Sequence, residues 1–254
     1  MPASTVTVIL ASTLLLVAAS CRSESTLPPA IAAYRASFAE SVGTEFTATL
    51  PRSQLQQRLR SCRVLWLGDH HRSSRLHALQ QELLRELADQ HVPVVLALEA
   101  IGQQDEAVTT AFLRGDIEMP MLRERMRRRW PGSWLDDREL DPWHYQSLLT
   151  FAKRTGTPVL ALEPTPRLPI ERRDAHIASA VQAAVSGFPD RLVVVIVGQA
   201  HLIGEGDLIA RTGLPNFAIG GEVPPTLAAD APTPRTRGDL LASNGGLWWF
   251  SDLL

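Results

Sequence analysis

Residues 64–71 read VLWLGDHH and residues 192–201 read LVVVIVGQAH. Each is an unbroken apolar run that stops at a glycine and is followed three positions later by a histidine. A strand covered on both faces needs continuous apolarity rather than alternation, so both runs read as inner strands of a parallel sheet. Glycine lets the chain turn sharply off the strand end. Working outward, Val94–Leu98 stops at Glu99, and Val159–Leu162 stops at Glu163, with Pro164 behind it. Two shorter runs, Phe217–Ile219 and Leu247–Phe250, complete the expected strands.

Helical periodicity fills the intervals. Leu76, Leu79, Leu83, Leu84 and Leu87 recur at helical spacing over 73–90. Further helices are expected over 104–114, 120–129, 141–155 and 171–187. Asp141 followed by Pro142 marks a helix start, and Gly156 marks its end. Strand–helix alternation of this kind predicts an α/β fold: a mainly parallel sheet with helices on both faces, and a helical insertion between the second and third strands. Pro224–Arg237 reads as a surface loop.

The chain has 254 residues, 25 Lys+Arg against 27 Asp+Glu, and a formal net charge of −2. Nothing in that balance provides the concentrated basic surface that a nucleic-acid partner requires. The run from Val6 to Ala19 is apolar, too short for a permanent membrane span, and leads through small residues to Cys21. Residues 1–21 therefore read as a lipoprotein-type signal peptide with Cys21 as the lipidation site. That implies export, and a membrane-anchored place in a bacterial cell envelope. Residues 22–50, rich in Ser, Thr, Ala and Pro, read as a tether and docking segment, and 51–254 as the α/β domain. Only two cysteines are present. With Cys21 lipidated, Cys62 has no partner and reads as a small buried thiol.

The positions of the polar residues carry the functional argument. Asp69 and His71 follow the first strand, Glu99 the second, Glu163 the third and His201 the fourth. In an open parallel sheet the carboxyl ends share one edge, and ligands bind there. These residues, distant in sequence, should gather in one cleft. Two histidines with two or three carboxylates suit a divalent metal, for which His71, Glu99, His201 and Glu163 are the candidate ligands. They equally suit a metal-free acid–base set of His71, Glu99, His201 and Asp69. Spacing alone does not choose between the two.

The segments VLWLGDHHRSSRLHALQQELL, VVLALEAIGQQDEAVTTAFLRGDI, WPGSWLDDRELDPWHYQSLLTFAKRTGTPVLAL and VVVIVGQAHLIGEGDL resemble the ChaN-like haem-binding lipoprotein family. That family lies within a superfamily that includes the Tiki, TraB and erythromycin-esterase proteins. The resemblance covers roughly residues 60–210, and Gly68, His71, Glu99, Gly198 and His201 match the shared motif. Asp69 stands where the family usually has Glu, and Glu163 where the ChaN-like branch usually has Asn. The resemblance implies haem binding and a part in iron acquisition, with a tyrosine ligand at a subunit contact and hence a homodimer. Tyr34 and Tyr145 are the only tyrosines. Tyr145 lies in the matching segment, so Tyr145, His144 and His77 are the expected cofactor-binding residues, with Gln80 beside His77. The Arg123, Arg125, Arg127, Arg128 and Arg129 run, with Met119, Met121 and Met126, is a candidate haem edge. The wider superfamily implies the alternative, a metal- or His-dependent hydrolase using His71, Glu99 and His201.

Overall fold

The computed structural model describes residues 29–43, 45–129, 133–138, 140–203, 206–223, 232 and 237–250. The expected leader with Cys21, and most of the expected loop over Pro224–Arg237, lie outside these, as do the side chains of Tyr34, Arg128 and Arg129.

The expected strands form a five-stranded sheet, all parallel. In chain order its members are β2 (Val64–Asp69), β3 (Val94–Gly102), β4 (Val159–Glu163), β5 (Leu192–Gly198) and β6 (Asn216–Ile219). Their order across the sheet is β4-β3-β5-β2-β6. Residues alternate between two cores. Leu65 and Leu67 of β2 and Val194 and Ile196 of β5 face one; Val64, Trp66, Val193, Val195 and Val197 face the other. Both faces are buried, which is why the sequence shows no alternation.

Against the first face pack α2 (Arg52–Leu59), α3 (Ser74–Asp89), α4 (Glu106–Arg114), α5 (Met119–Arg129) and α6 (Pro142–Thr155). Helices α4 to α6 are the expected insertion between β3 and β4. Against the second face pack α7 (Ile170–Gly187) and α8 (Leu208–Thr212). The chain moves toward β4 with its helices on one face, then reverses toward β6 with its helices on the other, as right-handed crossovers demand. Beyond β5, therefore, neighbouring connections diverge to opposite faces. In parallel sheets such a divergence is where ligands bind, and here it falls at the carboxyl ends of β2, β5 and β3.

Local signals act as the sequence implied. Ser73 caps α3 by accepting from the Leu76 N–H at 3.3 Å. Asp141 caps α6, Pro142 sits in its first turn, and Gly156 ends it in the left-handed region at φ 67°. Gly68 is required by a close approach, since a Cβ there would lie 2.2 Å from the Gly220 carbonyl oxygen.

A second sheet adds to the expected plan. It joins β1 (Phe46–Leu50), β8 (Leu240–Ser243), β9 (Gly246–Phe250) and β7 (Glu222–Val223) in the order β1-β8-β9-β7. The run Leu247–Phe250 thus belongs to this largely antiparallel sheet and not to the parallel one. Within the 22–50 segment, α1 (Pro29–Val42) sets Phe38 edge-on against Trp248 at 5.6 Å, and β1 pairs with β8. These residues are built into the folded body. Among the described residues no helix is long and apolar enough to cross a membrane.

Candidate functional site

Strand ends bring the expected residues together as two linked groups. In the first, Asp69 ends β2 with 2% of its surface exposed. Its Oδ2 accepts from the Tyr145 hydroxyl at 2.8 Å and lies 3.0 Å from His71 Nδ1; its Oδ1 lies 2.8 Å from His77 Nε2. Three donors therefore saturate one carboxylate. The other nitrogen of His77, Nδ1, meets Asp141 Oδ2 at 2.8 Å. His144 stacks on His77 with centroids 3.8 Å apart, and its Nδ1 accepts from Gln81 Nε2 at 3.2 Å. Trp134 lies against the His71 ring at 4.3 Å. Gln80 donates to the Gly68 carbonyl at 3.1 Å and so fixes the end of β2.

In the second group, Glu99 follows Leu98, the last β3 residue in register with β5. Its Oε2 accepts the Gly198 N–H at 2.7 Å, and its Oε1 lies 3.3 Å from His201 Nε2. Nδ1 of His201 is hydrogen-bonded to Asp174. Arg173 Nη1 donates at 3.3 Å to both Glu99 Oε1 and Glu163 Oε2. The groups meet at Gly198. A Cβ there would lie 3.4 Å from Glu99 Oε2 and from His71 Cε1 and Nε2. Two Asp–His pairs, Asp69–His71 and Asp174–His201, thus flank Glu99. His71 is the opening to solvent: its side chain is 32% exposed, against 3% for His201.

Protonation follows from these contacts. Burial alone would raise the Asp69 carboxyl, but the bonds and charges of His71 and His77 hold it far below the usual carboxylate range. Burial likewise opposes Glu99 ionisation, and His201 with the Gly198 N–H brings it down to about 2. Burial works against His77 and His201, yet paired carboxylates raise both: Asp69 and Asp141 for the first, Glu99 and Asp174 for the second. Burial and the charge of His77 push His144 down to about 3. Burial and nearby Glu99 raise Glu163 despite Arg173.

The expected residues His71, Glu99, His201, Asp69 and Glu163 therefore do gather at one edge of the sheet. The metal expectation is corrected. Among the described residues no group of His, Cys, Asp and Glu is arranged to hold a metal ion. The physical reason is that the candidate ligands are taken up by other partners: His71 by Asp69, His201 by Asp174 and Glu99, and Glu99 and Glu163 by the Arg173 cation between them. The expected cofactor residues are also placed differently from an open haem site. Tyr145 is 1% exposed, and burial with the nearby Asp69 charge raises its phenol far above its ordinary value. It is a buried hydrogen-bond donor. His77 and His144 are equally buried. Arg123 and Arg127 pair with Asp136, and Met126 is buried while Met121 is exposed. Cys62 is half-buried, with its thiol bonded to the Arg58 carbonyl.

Arg173, Asp174 and Asp141 went unforeseen as site residues. Asp141 was legible only as a cap, and ERRDAH (171–176) reads as a solvated helix face. A usable signal existed: the first turn of a helix that follows a strand lies at the carboxyl edge, so its polar residues face the cleft.

Residues 55–169 match the family model described as haem-binding uptake, Tiki superfamily, ChaN. The resemblance read from the motifs is borne out. No curated protein matches the chain. Among solved structures, the type III effector HopBA1 is similar at 15% identity and TM-score 0.53, covering 84% of this chain and 98% of its own. ChaN of Campylobacter jejuni, described for cofacial haem binding, is similar at 11% identity and TM-score 0.48, covering 67% of this chain and 86% of its own. RRSP, a MARTX toxin effector domain from Vibrio vulnificus CMCP6, reaches 20% identity and TM-score 0.47, covering 68% and 36% respectively. At 15% identity the likeness to HopBA1 is one of fold.

Proposed function

We propose, for a chain whose residues 55–169 are matched by the haem-binding ChaN family of the Tiki superfamily, that the strand-end cleft is a metal-free acid–base centre of hydrolase type. The observation that carries this is the pair of Asp–His units flanking Glu99, with His71 the exposed member. A packing role does not require five ionisable side chains at the crevice of a parallel sheet, since burying each costs free energy unless it is paired.

Each residue has a role set by its partners. Asp69 fixes the His71 tautomer with the proton on Nδ1, which leaves Nε2 to take a proton from water or a substrate hydroxyl. The resulting imidazolium lies beside two ionised carboxylates, Asp69 and Glu99. His201 and Arg173 hold Glu99 ionised and in place. Turnover should be sought on a panel of aryl esters, amides and peptides. His71→Ala and Glu99→Gln should each abolish it without loss of fold. Turnover that survives His71→Ala would refute the assignment.

A second reading is favoured by the family match itself: a haem-binding lipoprotein of the envelope, anchored through Cys21 and working in iron acquisition, in which a homodimer would form the haem site. Haem needs an axial ligand, an apolar wall and cations for its propionates. The described residues offer exposed Trp143, and Arg75 and Arg167 at half exposure. Tyr145, the tyrosine whose side chain is described, is buried. Haem titration of the purified protein, followed at the Soret band, tests this reading: saturable binding without turnover on any substrate would favour it over the first.

A further inference from the structure

His77 lies beyond the residues that face substrate in the acid–base reading, yet it occupies the most constrained position in the cluster. Each ring nitrogen has a carboxylate oxygen at 2.8 Å, Asp69 on one side and Asp141 on the other. A neutral imidazole has one N–H and one lone pair. Were His77 neutral, its lone pair would face an ionised carboxylate at hydrogen-bond distance, without a proton between them. The groups packed around it complete the picture: Asp69 from β2, Asp141, His144 and Tyr145 from α6, and its own helix α3 beneath. Among the described residues these two carboxylates are the anions paired with it. The stacked His144 is held neutral, so it adds no opposing charge.

We infer that His77 is a positioning residue charged at neutral pH: an imidazolium clamp between Asp141 and Asp69 that keeps Asp69 ionised and aimed at His71. The inference deepens the acid–base reading and rests on it for its purpose, not for its test. A carboxylate left to the His71 side alone would rotate and draw a proton more readily. Clamped at Oδ1 by His77, Asp69 offers Oδ2 to His71 Nδ1 and the Tyr145 hydroxyl in one fixed orientation. Asp141 is the more exposed of the two acids, at 22% against 1%, so the clamp ties the start of α6 to the end of β2.

The experiment is nitrogen-15 and carbon-13 magnetic resonance on the intact chain. Both ring nitrogens of His77 should be protonated at pH 7 in the unmodified protein. A His77→Gln variant keeps a donor toward Asp69 but removes the charge. In it the Asp69 carboxyl should titrate at higher pH, and His71 should lose its single Nδ1–H tautomer for a mixture. A purely structural role would leave the tautomer signature alone. Should His77→Gln fail to fold, Asp141→Asn serves instead and should move the His77 titration downward. A neutral His77 at pH 7 overturns the inference, as does an Asp69 titration or a His71 tautomer that His77→Gln leaves unchanged. Because none of these readouts needs substrate, absence of turnover would count against the hydrolase reading alone.

Discussion

Asp69→Asn is the most informative single change. The carboxylate is 2% exposed and accepts from His71, His77 and Tyr145 together. Asparagine matches its shape but leaves buried His77 facing one anion instead of two. Removing one partner of a buried ion pair costs about 3–5 kcal/mol. For a domain of this size each kcal/mol moves Tm by about 2–4 °C, so the variant should melt about 6–20 °C lower. The pH dependence is the sharper signature. The folded Asp69 pKa is depressed, so its contribution is complete above the unfolded value near 3.9 and is lost as pH falls below it. The folded His77 pKa is raised, so its contribution is complete below its unfolded value of about 6.5 and fades as pH rises through the folded value. The gap between parent and variant should therefore be widest from about pH 4.5 to pH 6.5 and narrow on both sides. Urea denaturation at half-unit pH steps measures it. A gap below about 1 kcal/mol, or one flat from pH 3 to pH 9, would refute the account of Asp69 as a saturated, charged acceptor.

Four further outcomes follow from the same geometry. Gly198→Ala meets its neighbours at the ordinary contact distance of 3.4 Å and should keep its Tm, yet lose turnover because the new methyl fills the gap between Glu99 and His71; Gly68→Ala, at 2.2 Å from a backbone oxygen, should instead lose about 1–3 kcal/mol or more in thermal melts. Arg173→Met leaves Glu99 and Glu163 without their shared cation, and because their repulsion needs both ionised, the loss measured by denaturation should be greater at pH 8 than at pH 5. Tyr145→Phe removes a hydrogen bond to a charged acceptor and should cost about 1.5–3 kcal/mol, while any haem Soret band should keep its position and intensity.

The parallel sheet was legible because its strands are buried on both faces, which writes them as unbroken apolar runs. The second sheet was not. Phe46–Leu50 has exposed positions within it, and Leu240–Ser243 is short; neither stands out by apolarity. The run Leu247–Phe250 was visible as a strand, but its partner was not, because pairing with Leu240–Ser243 is a matter of register and turn rather than composition. The same division holds in the cleft. His71, Glu99, Glu163 and His201 announce themselves by standing at the ends of apolar runs. Asp174 and Arg173 arrive from the first turn of α7, where charged residues are common for unrelated reasons, so only the crossover geometry gives them meaning. Tyr145 shows the converse: the family resemblance implied a haem ligand, and burial beside Asp69 makes it a hydrogen-bond donor.

The strand order carries a consequence for how the chain is made. β5 lies between β3 and β2, yet it is synthesised about ninety residues after β3. Until residues 192–198 emerge from the ribosome, two apolar strands wait with their inner edges unpaired, and Glu99 has neither the Gly198 amide nor His201 to satisfy it. A polypeptide that stops at residue 169, the limit of the family match, would be left with this sheet split down its middle. Closure of this sheet during synthesis is thus deferred until residues 192–198 have emerged, and the nascent chain is at its most vulnerable to misassociation before then.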